Sequence, residues 1–135
     1  MGAAPMLWLA RALISAGRRP RAALGFQSAT DVCLAEDLRE LGVETVVATA
    51  DGSEGTRGFV TDAMRNMQFD YVFACGPEPM LRAVSTGTDC PGQMSFEERM
   101  GCGFGACMGC TCKTIAGEKR ICREGPVLFK EEVRW

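Results

Sequence analysis

Histidine is absent from this 135-residue chain, which excludes mixed cysteine–histidine zinc fingers. A dominant charge is lacking too. Fifteen Lys and Arg against 17 Asp and Glu leave a net charge of −2. That balance offers no basic footprint for nucleic acid and no strong pull toward an anionic membrane. No apolar run approaches the roughly 18 residues of a membrane span. No secretory signal is legible either, because the apolar stretch Pro5–Ala10 is short, has no basic residue before it and meets Arg11 at once. The start also misses a myristoylation pattern, since Met6 stands where Ser or Thr is required. The first 30 residues carry arginine and no acid, as a mitochondrial transit peptide does, yet they read better as a folded loop and helix.

Cysteine, by contrast, is abundant at eight residues. Without a secretory signal, such cysteines bind metal or do redox chemistry more often than they pair as disulfides. A reducing cytoplasm is therefore the expected compartment. The length suits one domain, or one small domain with a metal-stapled appendage. A hydrophobic fraction of 47% with 24% charged residues is ordinary for a globular protein.

Residues 4–17 read as a helix with Pro5 in its first turn and Gly17 as its stop, apolar enough to be largely buried. Ala22–Phe26 reads as a buried strand. Thr30 or Asp31 is placed to cap a helix through Leu41, which Gly42 ends and in which Cys33 falls on the core side. Val43–Thr49 is the next strand, rich in β-branched residues. A glycine-rich loop over residues 51–58 leads to a helix ending near Met67. Tyr71–Cys75, a helix over residues 78–85 and a short strand over residues 93–96 complete the pattern. Strands alternating with helices predict an α/β fold with a doubly wound parallel sheet. A ligand there would meet the carboxyl ends of the strands, where Gly2, Asp51 and Cys75-Gly76 fall. Such a sheet begins with a strand, whereas this chain begins with a loop and a helix. The predicted sheet is therefore incomplete.

Composition changes near residue 97. Glycine and cysteine crowd residues 101–112, and Thr111–Ile115 and Lys119–Arg123 read as two strands joined around Gly117. The predicted domains are thus residues 1–96, an incomplete α/β domain, and residues 97–135, a small cysteine-rich β domain. Cys102, Cys107 and Cys110 stand as C-x4-C-x2-C, and Cys122 follows across the hairpin. That opening is the plant-type [2Fe–2S] spacing. The surrounding glycines let the backbone wrap close to a cluster and aim N–H groups at its sulfurs. A four-cysteine zinc site usually shows two separate C-x2–4-C knuckles, whereas here three cysteines share one loop. Cys112 shares a strand face with Cys110 and reads as a buried neighbour, and Cys90 as structural. Cys75 ends a strand where a ligand would lie; a plain buried cysteine is the alternative reading.

Three segments together resemble a known family. Residues 95–110, running Ser95-Phe96-Glu97-Glu98-Arg99-Met100-Gly101-Cys102 through Cys110, are followed by Cys112-Lys113-Thr114 and by Arg120-Ile121-Cys122-Arg123-Glu124-Gly125-Pro126-Val127. They closely resemble the electron-transfer subunit of bacterial dihydroorotate dehydrogenase. Upstream, Thr49-Ala50-Asp51-Gly52-Ser53 with Gly55, Gly58, Phe59, Val60 and Thr61, and Cys75-Gly76-Pro77 with Pro79-Met80, resemble the nucleotide-binding half of ferredoxin reductase-like flavoproteins. Met1-Gly2-Ala3-Ala4-Pro5 is similar to the end of that family's pyrophosphate loop.

The resemblance implies a division of labour. Dihydroorotate is oxidised at an FMN in a separate catalytic subunit, electrons cross a [2Fe–2S] cluster to FAD, and a hydride passes to NAD⁺. It implies Cys102, Cys107, Cys110 and Cys122 as cluster ligands and the backbone at Gly2 and Ala3 facing a dinucleotide pyrophosphate. Asp51 and Gly52 would lie beside the nucleotide, and Cys75 and Gly76 near the nicotinamide. No residue of the chain is implied as a catalytic acid or base, because the chemistry belongs to the cofactors. The FMN subunit would be the partner, in a hetero-oligomer, with Phe104 and Met108 a candidate contact. The lack of a basic residue after Gly25-Phe26 leans to NAD over NADP. The family's FAD-binding barrel and first strand have no counterpart here, so the expectation is a fragment, or a start codon set within a motif, with a partial NAD site. Related readings are the small subunit of a ferredoxin–NADP reductase or sulfide dehydrogenase. A zinc-stapled interaction module without enzymatic function is the reading from another class.

Overall fold

The computed structural model describes residues 2–135; Met1, the first residue of the proposed pyrophosphate loop, lies outside them. The chain divides into two compact units, Met1–Gln68 and Phe69–Trp135. No helix among the described residues is long and apolar enough to cross a membrane.

The first unit opens with helix α1 (Ala3–Ser15), followed by β1 (Arg21–Phe26), a 3₁₀ turn at Ala29–Asp31 and α2 (Ala35–Glu40). Then come β2 (Glu44–Thr49), the two-residue β3 (Thr56–Arg57) and α3 (Val60–Met64). β1 and β2 pair in parallel from Arg21 opposite Glu44 to Phe26 opposite Thr49, and β3 adds to β2. Ala10, Leu24, Ala35, Leu38, Val43 and Val47 form the core, with Leu7, Phe26 and Leu41 packed against it. Leu38 is fully buried.

Three details differ from expectation. α1 buries only Ala10, while Trp8 is 70% exposed with the Arg11 guanidinium 5.3 Å from its ring. Its apolar residues run all round, but only a narrow face meets the core. The helix expected over residues 31–41 is broken, because the Asp31 carboxylate turns back to accept from the Ser28 backbone N–H (3.1 Å) and hydroxyl (2.8 Å). Leu34 then takes a left-handed φ of 60° before α2 starts. Cys33 falls in that break and is exposed, not a core residue. α3 also stops at Met64, short of the expected Met67, and the chain leaves it through a turn from Met64 to Met67.

The second unit carries β4 (Val72–Gly76), α4 (Glu78–Thr86), β5 (Gly92–Phe96), β6 (Thr111–Thr114), β7 (Gly117–Arg120), a helical turn α5 (Ile121–Glu124) and β8 (Val127–Phe129). A 3₁₀ turn at Lys130–Glu132 follows. β4 and β5 are parallel, and β8 runs antiparallel on β5. β6 and β7 form a separate hairpin. Leu81, Met94, Ile121 and Leu128 are the largest fully buried side chains here among the described residues. Trp135 closes the chain by stacking on Phe96 and donating its indole N–H to the Ser85 hydroxyl at 2.9 Å. The fold is α/β with parallel strand pairs, as expected, but the strands lie in two three-stranded sheets and a hairpin. Composition shifts at residue 97, while packing groups β4 and β5 with everything that follows, in part because β8 returns to β5.

Candidate functional site

The loop at residues 101–110 is built without helix or strand, and its cysteine sulfurs take the place of carbonyls as acceptors. Cys102 Sγ accepts from the backbone N–H of Ala106 (3.3 Å) and Cys107 (3.5 Å). Cys107 Sγ accepts from Gly109 N–H at 3.4 Å. Met108, between them, sits at a left-handed φ of 58°, its carbonyl held by the Thr111 hydroxyl at 2.6 Å. Cys110 is 3% exposed, and its sulfur accepts from the Cys122 N–H at 3.4 Å.

The hairpin explains how the fourth cysteine arrives. Thr111 pairs with Arg120, so Cys110 lies opposite the residue after it, and Ile121 N–H donates to the Cys110 carbonyl at 3.0 Å. The strand expected through Arg123 stops at Arg120, and Cys122 is carried on α5. The turn starts there because Glu124 reaches back to accept from the Arg120 N–H at 2.6 Å.

The thiols influence one another in two pairs. Backbone N–H groups, that of Cys107 foremost and that of Phe104 next, draw the Cys102 thiol down to about 6, with the Cys107 side chain adding in the same sense. A hydrogen bond with Cys110 holds the Cys122 thiol above its ordinary value; burial and the charges of Cys110 and Cys102 push the same way. Cys102 is thus poised as a thiolate near neutral pH. Cys102 with Cys107 and Cys110 with Cys122 are two donor pairs within electrostatic reach of each other. Among the described residues no three His, Cys, Asp or Glu side chains stand close enough together to hold one metal ion, so the structure brings the four cysteines together as two pairs and not as one closed set. The loop also leaves room. A Cβ on Gly101 or Gly109 would stand 3.3 or 3.5 Å from Cys107 Sγ. Four soft sulfur donors, N–H groups aimed at sulfur and a glycine-lined cradle fit an iron–sulfur cluster.

Cys112 stands apart. It is half-buried in β6, its thiol aims at the Lys113 carbonyl 3.7 Å away, and burial raises its pKa, with Glu78, Glu98 and Glu132 adding to the rise.

The candidate nucleotide residues divide between the units. Gly2 caps α1 with an ordinary φ of −63°, so its backbone does not itself demand glycine, and Ala3 begins the helix. Asp51 and Gly52 follow β2 as placed by the sequence. Asp51 Oδ1 accepts from the Ser53 N–H (2.9 Å) and hydroxyl (2.6 Å), and these bonds hold its carboxyl below the usual range. The Ser53 hydroxyl also receives the Ala29 N–H at 2.7 Å. Thr49, fully buried, donates its hydroxyl to the Glu54 carbonyl (2.7 Å) and accepts the Glu54 N–H (3.0 Å). Sequence reasoning missed Thr49 and Ser53 as the residues that shape this loop. Thr49, the polar residue that ends the apolar run Val46-Val47-Ala48 of β2, was the available signal. In the second unit, Cys75 is half-buried and Gly76 buried at the carboxyl end of β4, and the Gly76 carbonyl accepts from Glu97 N–H at 3.4 Å.

Parallel strand pairs beside a cysteine-rich hairpin define a ferredoxin reductase-like protein with an iron–sulfur segment. Comparison with known proteins gives the same class. Residues 97–134 match the iron–sulfur cluster binding domain of dihydroorotate dehydrogenase B. The chain is a relative of the electron transfer subunits of dihydroorotate dehydrogenase B (NAD(+)). It is 43% identical to that of Geobacillus sp. (strain WCH70), over 98% of this chain and 54% of that protein. Identity to the Bacillus caldolyticus subunit is 44%, with the same coverage of both. The Fusobacterium nucleatum subunit is 38% identical, again over 98% of this chain and 54% of its own length. The chain therefore spans about half the length of the curated relatives it matches. Among solved structures, the NADH-dependent reduced ferredoxin-NADP oxidoreductase, a subject of work on flavin-based electron bifurcation, matches with a TM-score of 0.79 and 29% identity, over 99% of this chain and 51% of the other.

Proposed function

We propose that this chain is the iron–sulfur and partial nucleotide-binding portion of a dihydroorotate dehydrogenase electron-transfer subunit. Cys102, Cys107, Cys110 and Cys122 are its cluster ligands, and residues 97–135 are its cluster-binding domain. The observation that carries the reading is the pairing of Cys102 with Cys107 and of Cys110 with Cys122, three of the four sulfurs receiving backbone N–H groups. When bound, a [2Fe–2S] cluster takes up and passes on one electron at a time. The chain's own part is to hold four thiolates in place, to offset their charge with amide dipoles and to keep Cys110 away from water. Within the first unit, the loop after β2, held by Thr49 and Ser53, offers Asp51 and Gly52 as nucleotide contacts, and Gly2 and Ala3 at the start of α1 are the candidates for a dinucleotide pyrophosphate, a partial NAD site. In the second unit, Cys75 and Gly76 at the end of β4 are the candidates for a nicotinamide. FAD is the further carrier that the relationship implies, and an FMN-bearing catalytic subunit the partner, in the cytoplasm.

Anaerobic purification followed by iron and sulfide analysis, with visible and EPR spectra, tests this. The expected result is two irons and two sulfides per chain and an axial or rhombic signal on reduction. A colourless protein with one zinc per chain overturns it. The match to the ferredoxin-NADP oxidoreductase structure favours one second reading, a subunit of such a reductase. Reduction of the cluster by the FMN subunit with dihydroorotate, against reduction by NADPH or ferredoxin, separates the two.

A further inference from the structure

Arg120 ends β7 and reaches across the cysteine loop. Its Nη1 donates to the Gly105 carbonyl at 3.0 Å, midway between Cys102 and Cys107. Its Nε lies 3.2 and 3.1 Å from the two Glu124 carboxylate oxygens, and Nη2 donates to the same carboxylate. The pair is only about a quarter and a third exposed. Gly105 itself has a φ of 92°, and a Cβ there would stand 3.2 Å from Arg123 Cδ and 3.3 Å from Arg120 Nη1. The positive φ favours glycine here, and a Cβ would press on both arginine side chains by a few tenths of an ångström. The guanidinium is always charged in a protein, and Arg120 is paired across the hairpin with Thr111, the residue after Cys110. A fixed cation therefore sits two residues before Cys122 in the chain while its fork grips the loop that carries the first pair.

We propose that Arg120, locked by Glu124, is a positioning residue that clamps the Cys102–Cys107 arc at Gly105 and whose charge raises the reduction potential of the cluster. This rests on the cluster reading above. One guanidinium makes both contacts because its donors fan out in a plane; a lysine ammonium carries the same charge but cannot span the Gly105 carbonyl and the Glu124 carboxylate together. Reduction adds negative charge to the cluster, so a neighbouring cation favours the reduced form, and hydrogen bonding and net charge set the potential.

The test uses the full chain with Arg120→Gln, Arg120→Lys and Glu124→Gln. Three measurements are made: iron release to a ferrous chelator, midpoint potential by EPR-monitored titration, and amide exchange at residues 102–107 of the iron-free chain. Arg120→Gln is expected to lose iron about 10-fold faster, the lower end for loss of an outer-shell partner. It should also speed exchange at residues 105–107 and shift the midpoint negative. Glu124→Gln should shift the midpoint positive, because it removes a negative charge while leaving the cation. Arg120→Lys should hold the midpoint near the parent but release iron faster. Parent-like iron release and exchange in Arg120→Gln overturn the clamp. Midpoint shifts of the same sign in Arg120→Gln and Glu124→Gln overturn the charge effect. A parent chain that binds no iron sinks the cluster reading instead, and the exchange data on the iron-free chain still decide whether Arg120 clamps the loop.

Discussion

Cys112 lies two residues from Cys110, yet its thiol aims at the Lys113 carbonyl and its environment is acidic. The four proposed ligands instead touch each other or loop amides. Serine at Cys102 or Cys122 is therefore expected to cut bound iron and sulfide by more than half, while Cys112→Ser keeps both at the parent level. Colorimetric iron and sulfide assays on anaerobically prepared variants decide between them. Asp51 supports a second residue-scale prediction. Its carboxylate accepts two bonds from Ser53, which hold its pKa in the folded chain below the ordinary aspartate value. A carboxyl with a depressed folded pKa stabilises above its unfolded pKa and loses that contribution as the pH falls through the folded value. Asp51→Ala should thus lower the melting temperature at pH 6, and the gap to the parent should narrow on acidification below 3.8. A gap that stays constant into acid refutes a role for the ionised form.

At the scale of elements, the loop after β2 shows how tightly backbone can constrain residue choice. Gly55 has a φ of 65°, and a Cβ there would stand 2.1 Å from the Val47 carbonyl oxygen. Gly55→Ala should cost at least about 1–3 kcal/mol, the scale of a strained left-handed residue, read by urea denaturation. Leu38→Ala, emptying a fully buried position of α2, should cost about 2–5 kcal/mol by the same assay. Elements with strong local signals were legible from the residues: β1, β2, β4, α4 and β5 fall within a residue or two of expectation, because short apolar runs, the β-branched residues of β2 and the Gly76-Pro77 break mark them. The segment from residue 27 to 42 was not, since its decisive contact is a side chain turning back from Asp31 to Ser28, which periodicity does not report. The end of β7 failed for the same kind of reason, the reach of Glu124 to Arg120. The four cysteines were legible from spacing alone. Arg120 was not, because only the hairpin register brings it across from Thr111 and over the loop to Gly105.

At the scale of the whole chain, all four proposed ligands fall in one compact unit, Phe69–Trp135, while the parallel ladder of β1 and β2 lies in the other. Metal binding is coupled to folding wherever the ligand loop has no regular structure of its own, and residues 101–110 have none. The hairpin β6–β7 and α5 hold Cys110 and Cys122 together through backbone bonds, so they have some order before metal arrives. Iron removal should therefore act in a graded way. Amide exchange is expected to rise most in residues 101–107, less in residues 110–124, and not at all in β1 and β2, whose core is built from Leu24, Leu38, Val43 and Val47. Exchange mass spectrometry on the chain before and after chelation reads this directly, with β4 and β5 as the informative middle case. If chelation also exposes Ala23–Phe26 or Val46–Thr49, the cluster supports the stability of the entire chain rather than of the loop and hairpin that carry it.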